Sequence, residues 1–318
     1  MPKKGCLGCS FPLTVGIIVI VLTLLVVGII SGALGQAIIG DTSLGNTVGI
    51  ETPHIQLPAQ AIFHIGSFPI TNTLITSWIS IIVLVALSYA VTHHIKIIPS
   101  RLQSLVEFAI EWMLNLCVDV AGEKNGRRFF PIVTTIFLFV LINAWMNLIP
   151  GYGSILAHVH GHEVHLLRGA NTDINVPLAI AIVSFVFVLY HGIRALGIHF
   201  FEGFINVRRF GRGVGQLLKG KVKSGSGDIG FGIIDIFVGI LELVSFIFRI
   251  ASFTFRLFGN MTGGEILLLM MIFLVPWVVA LPFYGLELLI GLVQAVIFAG
   301  LTLVFATVAV TSHGDAET

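Results

Sequence analysis

The sequence predicts an all-α membrane protein with five to six membrane-embedded helices and one further interfacial helix. Three observations carry this reading. The 318 residues are 56% apolar with a mean hydropathy of +1.01. Only 10% are charged, whereas a soluble domain carries about 25% and covers its surface with them, so lipid must be the solvent for most of the chain. The apolar residues fall in unbroken runs of about 20, the length that crosses a bilayer as a helix. Closed barrels show short alternating strands instead, and lipid admits little else, because every backbone group must be satisfied internally.

Residues 1–35 read as an N-terminal transmembrane helix or a signal peptide. Phe11 to Ile30 carries no charge and follows Lys3 and Lys4. Ala33-Leu34-Gly35 has the small residues of a cleavage site, but the apolar core is long for a leader. Cys6 and Cys9 form a CxxC without a second pair, and Cys117 stands alone, which is weak ground for a zinc or redox centre. Residues 36–69, rich in Gly, Pro and Thr, read as an external loop.

The core is expected over residues 70–318. Its first span is Ile70 to Val91. A polar stretch follows from His93 to Arg128, within which Leu102 to Val120 is half apolar and suits an interfacial helix. Phe129 to Ile149 forms the next span, stopped by Pro150, and Val176 to Ile193 the one after. Between them lies an external loop with His158, His160, His162, His165 and Glu163. HEVH lacks the spacing of the zinc-protease HExxH, so a solvated or proton-collecting loop is favoured over a metal site. Arg194 to Asp228 is polar again, and its KVKSGSGD reads as a flexible linker.

Charge placement gives the topology. Lys3 and Lys4 precede the first span; five cations lie in 93–128 and seven in 194–228. Counted across alternating spans, these all fall on one side, and only Arg168 falls in an opposite-side loop. Positive charge marks the cytoplasmic side, so both termini are placed there if the first helix is retained.

Residues 229–312 differ in kind. Ile229 to Val275 is one apolar stretch carrying Asp235, Glu242, Arg249, Arg256 and Glu265. Pro276 and Pro282 bracket a turn, and Phe283 to Val310 forms a last helix with Glu287 and Gln294. About 45 helical residues span roughly 67 Å, twice the hydrocarbon core of about 30 Å. The segment must be tilted, bent or broken. Asp235, Glu242, Arg249 and Arg256 recur every seven residues, drifting only about 20° per step, so they share a stripe. Glu265 lies about 180° from Arg256 around the helix.

An arginine at mid-bilayer costs at least about 2.5 kcal/mol and keeps its charge. It needs a carboxylate, water, or both. Pairing of Arg256 with Glu265 is opposed by that geometry. Pairing of Arg249 with Glu242 remains open.

The stretch from Ser252 to Glu265, SFTFRLFGNMTGGE, resembles the signature of the F-type ATP synthase a subunit, and ELLIGLVQAVIFAGLTLVF resembles that family's closing helix. Upstream, IIPSRLQSLVEF, NLIPG and TDINVPLA follow its order more weakly. The resemblance covers residues 70 to 312 and implies a proton-translocating stator subunit whose final hairpin faces the rotating c-ring. It implies that Arg256 faces the ring carboxylates with Gln294 packed near it. Glu265 and Glu287 would line an external half-channel and Glu242 an internal one, with Asn260, Ser252 and Arg249 at further matching positions. Ile250 departs from the proline often found there. Implied partners are the c-ring, peripheral-stalk b subunits, the lipid bilayer, and protons or sodium ions, in a cell inner membrane with a cytoplasmic carboxyl terminus. No cofactor, metal or nucleic acid is implied. Without a GxxxxGK[ST] loop, the chain is expected not to hydrolyse ATP. A secondary transporter is the alternative, but it would show paired broken-helix repeats. A scaffold subunit would have little reason to flank a membrane arginine with acids.

Overall fold

The computed structural model describes residues 11–39, 58–93, 95–96, 99–159, 162–197 and 222–311. Their order is α1 (Phe11–Ser31), α2 (Ala33–Ile39), β1 (Ala61–Ile65), β2 (Phe68–Thr71), α3 (Asn72–His93), α4 (Arg101–Asn147), β3 (Leu156–Val159), β4 (His162–His165), α5 (Asn175–Leu196), α6 (Val222–Leu274) and α7 (Ala280–Val310). Five helical stretches are long and apolar enough to cross a membrane: Leu13–Ser31, Asn72–His93, Arg101–Asn147, Asn175–Leu196 and Trp277–Val310. The charged α6 is the sixth long helix. The chain is a multi-pass membrane protein, and its bare Leu, Ile, Val and Phe side chains on α1, α3 and α6 suit contact with lipid.

α4 joins the expected interfacial helix and the following span. The join is Gly122, whose φ of 75° and ψ of 164° lie in a region nearly closed to other residues. The chain doubles back sharply there: a side chain on Gly126 would meet the Cys117 carbonyl at 2.5 Å.

Three elements differ from the sequence reading. KVKSGSGD is not a linker from Val222 onward, because α6 begins there and runs through both glycines of the motif. Extending a formed helix is far easier than nucleating one, so two Gly penalties of about 1 kcal/mol each do not stop it. α6 is also continuous over its 53 residues, so tilt or bending, not breakage, must absorb its length of about 80 Å. Pro282 does not bracket the turn. The last helix starts at Ala280, placing Pro282 in its first turn, where a missing N–H is harmless.

The loops hold short antiparallel hairpins. β1 pairs with β2 and β3 with β4, so residues 61–69 are not plain loop, and α2 extends to Ile39. His158, His162 and His165 lie in the second hairpin; His160 lies outside the described residues. No cluster able to hold a metal occurs among the described residues.

The chain divides into two compact units, each drawing on several helices. One comprises Met1–Ile75, Ala144–Thr172 and Gly259–Val293. Here α1 meets the segment after α6: a side chain on Gly28 would meet the Pro276 carbonyl at 2.6 Å, and one on Gly32 would overlap the Leu274 carbonyl. Small residues four apart allow this close backbone approach in lipid. Gly291 similarly admits Ala144, and Trp145 Nε1 donates to the Leu288 carbonyl at 3.2 Å. Asn72 joins the hairpins, donating to the His165 carbonyl at 3.1 Å and accepting from the Gln60 amide at 3.3 Å.

The other unit comprises Thr76–Asn143, Asp173–Phe258 and Gln294–Thr318. Ala295, Ala299, Thr302 and Ala306 are fully buried along one face of α7, the small-residue interface expected between membrane helices. Ser184 and Thr302 share a hydrogen bond at 2.7 Å, and Ser80 donates to Asn143 at 2.7 Å. Phe129 stands edge-on to both Phe187 and His191.

Candidate functional site

The residues singled out in the sequence separate between the units. Asn260, Glu265 and Glu287 belong to the first; Glu242, Arg249, Ser252, Arg256 and Gln294 belong to the second.

In the first unit, α6 and α7 bring the two acids to neighbouring positions by different means. Glu287 is buried at 5% exposure. Its carboxylate lies against Gly264, so closely that a methyl group there would overlap it. Its Oε2 has no hydrogen-bond partner among the described residues. Glu265, the next residue along α6, instead forms an ion pair. Arg168 Nε and Nη2 both donate to its Oε2, at 3.3 and 3.2 Å. Arg168 Nη1 also donates to the Pro58 carbonyl at 3.3 Å. Asn260, a turn earlier on α6, is exposed.

In the second unit, α6 carries two arginines with different surroundings. The Arg249 guanidinium sits over the Phe305 ring at 4.0 Å from its centroid. It makes no ion pair with Glu242, which is exposed one stripe position earlier. The Glu242 pairing left open by spacing is therefore not the one formed: Phe305 on α7 offers a ring face, which attracts a cation within about 6 Å. Arg256 is half-buried, and its nearest aromatic face is Phe253 at 5.8 Å. It forms no ion pair or hydrogen bond among the described residues. Phe253 and Leu257 on either side are buried, which anchors this turn of α6. Ser252 is exposed, and Gln294 is buried at 2% exposure.

Sequence reasoning missed three participants. Arg168 enters the sequence reading only as the odd cation of the topology count; a lone cation in loops that otherwise carry only acids was the available signal. Gly264 and Phe305 carried no signal, because their roles depend on which residue of another helix arrives beside them.

The profile of the family described as ATP synthase A chain matches residues 74–307. The chain is similar to the ATP synthase subunit a of Gloeobacter violaceus, 30% identical over 244 residues, covering 77% of this chain and 85% of that one. It is also similar to the proteins of that name from Moorella thermoacetica (26% over 262 residues, covering 79% and 96%) and Trichlorobacter lovleyi (29% over 253 residues, covering 77% and 90%). With residues 74–307 matching the family profile, and an arginine on a continuous charged helix that makes no ion pair among the described residues, this chain belongs to the ATP synthase subunit a family.

Proposed function

We propose that the chain is the proton-conducting stator of a rotary ATP synthase and that Arg256 separates two aqueous half-channels. The observation that carries this is Arg256 itself: a permanent cation on an apolar helix, half-exposed, with no partner acid among the described residues. A membrane protein tolerates such a group where another subunit or water meets it. The c-ring, with a carboxylate on each rotating subunit, supplies that charge.

Protons enter past Glu265 and Glu287 and neutralise a ring carboxylate. A neutral acid enters lipid far more readily than an anion, so the ring can turn. After rotation the proton leaves near Glu242. As the next ring carboxylate nears Arg256, the positive charge favours its ionised form and repels a proton crossing directly. Each charge moved through 100 mV releases about 2.3 kcal/mol, which the ring passes on as torque. Gln294, Asn260, Ser252 and Arg249 line or brace these routes. Nucleotide chemistry belongs to other subunits, and peripheral-stalk b subunits hold this one still. The placement is a cell inner membrane with the carboxyl terminus cytoplasmic, which the asymmetry of Lys and Arg supports.

Arg256→Ala tests the reading. Assembled complexes in inverted vesicles should lose ATP-driven proton pumping, whereas coupled pumping at the normal rate would refute the role.

A further inference from the structure

We infer that Arg168 is a positioning residue of proton entry: it holds the Glu265 carboxylate from the loop between α4 and α5. The inference rests on the proposed role of Glu265 and extends it to a residue 97 positions away in sequence.

Arg168 reaches one oxygen of the Glu265 carboxylate with two nitrogens. Nε and Nη2 both donate to Oε2 of Glu265, at 3.3 and 3.2 Å, while Nη1 donates to the Pro58 carbonyl at 3.3 Å. The planar guanidinium is thus fixed at both ends, and Glu265 Oε1 is left out of the ion pair. The pair is largely shielded, with side-chain exposures of 11% and 24%. Surface ion pairs contribute little, but one removed from water fixes geometry strongly, because losing a partner leaves an uncompensated charge.

The same two segments carry buried polar groups without a partner among the described residues. Asn171, three residues after Arg168, is 2% exposed, and both its side-chain polar atoms lack partners among the described residues. Thr262, three residues before Glu265 and so on the same face of α6, is 5% exposed with its hydroxyl likewise unpartnered. Buried polar groups are nearly always met by protein or water. An ion pair flanked on both strands by such groups is suited to a hydrated proton entry rather than to a dry structural clamp. Glu265 Oε1, which accepts no hydrogen bond among the described residues, is the atom that takes up the proton, while Arg168 holds Oε2 and so fixes the direction in which Oε1 points.

The test uses the whole complex in inverted vesicles, with passive proton conduction read after the catalytic head is stripped and retention of the subunit read by immunoblot. The variants are R168A, R168Q, R168K, E265Q and the double R168A/E265Q. R168A and R168Q should stay assembled and conduct about tenfold more slowly. R168K should recover part of the loss, since it keeps the charge but not the two-nitrogen grip. The double variant should conduct no worse than E265Q alone, because Arg168 acts through that carboxylate. Conduction in the double variant well below E265Q would overturn the inference, as would normal conduction in R168A or loss of the subunit in both R168A and R168Q. Normal conduction in E265Q would instead overturn the entry role of Glu265 itself.

Discussion

Glu287 lies with its carboxylate directly over Gly264, on the residue adjoining the ion-paired Glu265. The missing side chain at 264 is what makes room for the acid from α7. Gly264→Ala should therefore push the carboxylate aside and slow passive proton conduction about tenfold, equivalent to about 1.4 kcal/mol of barrier. Shortening the acid in the same background, G264A with E287D, should recover much of the loss. Conduction assays on stripped vesicles check both, and an unaffected G264A would mean that the contact plays no part in transport.

Gly122 sets the corner of α4. Its φ of 75° with ψ of 164° should make Gly122→Ala destabilising by about 1–3 kcal/mol. Thermal inactivation of the detergent-solubilised complex would show it as a lowered midpoint. Gly16 of α1, where an added side chain meets nothing within 4 Å, is the control: Gly16→Ala should leave the midpoint unchanged or raise it.

The Arg249–Phe305 contact predicts an aromatic requirement at 305. Phe305→Leu keeps bulk and removes the ring, and should cost about 0.5–2 kcal/mol; Phe305→Tyr should cost far less. Equal losses in the same inactivation assay would show that packing, not the ring face, matters there.

Thr302 separates hydrogen bonding from shape. Thr302→Val removes the Ser184 hydrogen bond and should cost only about 0.6 kcal/mol, the average for such bonds between membrane helices. Thr302→Leu must overfill a site with no exposure and should cost about 1–3 kcal/mol. The two variants compared by thermal inactivation give the ranking, and a Val variant worse than Leu would reverse it.

The helices were legible in the sequence because lipid imposes one length scale and one backbone solution, so α3 and α5 fall within a few residues of the apolar runs at 70–91 and 176–193. The charged hairpin was legible because seven-residue spacing is a property of a single helix. What depended on two segments meeting was not. The Arg168–Glu265 pair joins a loop to a helix, and nothing local to either marks the other. The 61–71 hairpin escaped because its strands are short and hold Pro69 and Gly66, which also mark loops. KVKSGSGD misled because local composition was weighed without the long apolar helix that draws its last residues in.

The seam at Gly28 and Gly32 has a consequence for α1. This helix lies ahead of the matched 74–307 region, and most of its side chains are bare, so by hydropathy any apolar segment could replace it. The two glycines say otherwise, since they seat α1 on the carbonyls where the chain leaves α6 to turn into α7. A foreign anchor with leucines at those positions would still enter the bilayer but could not come close enough to brace that bend, and the hairpin would lose its outer support while every helix remained in place.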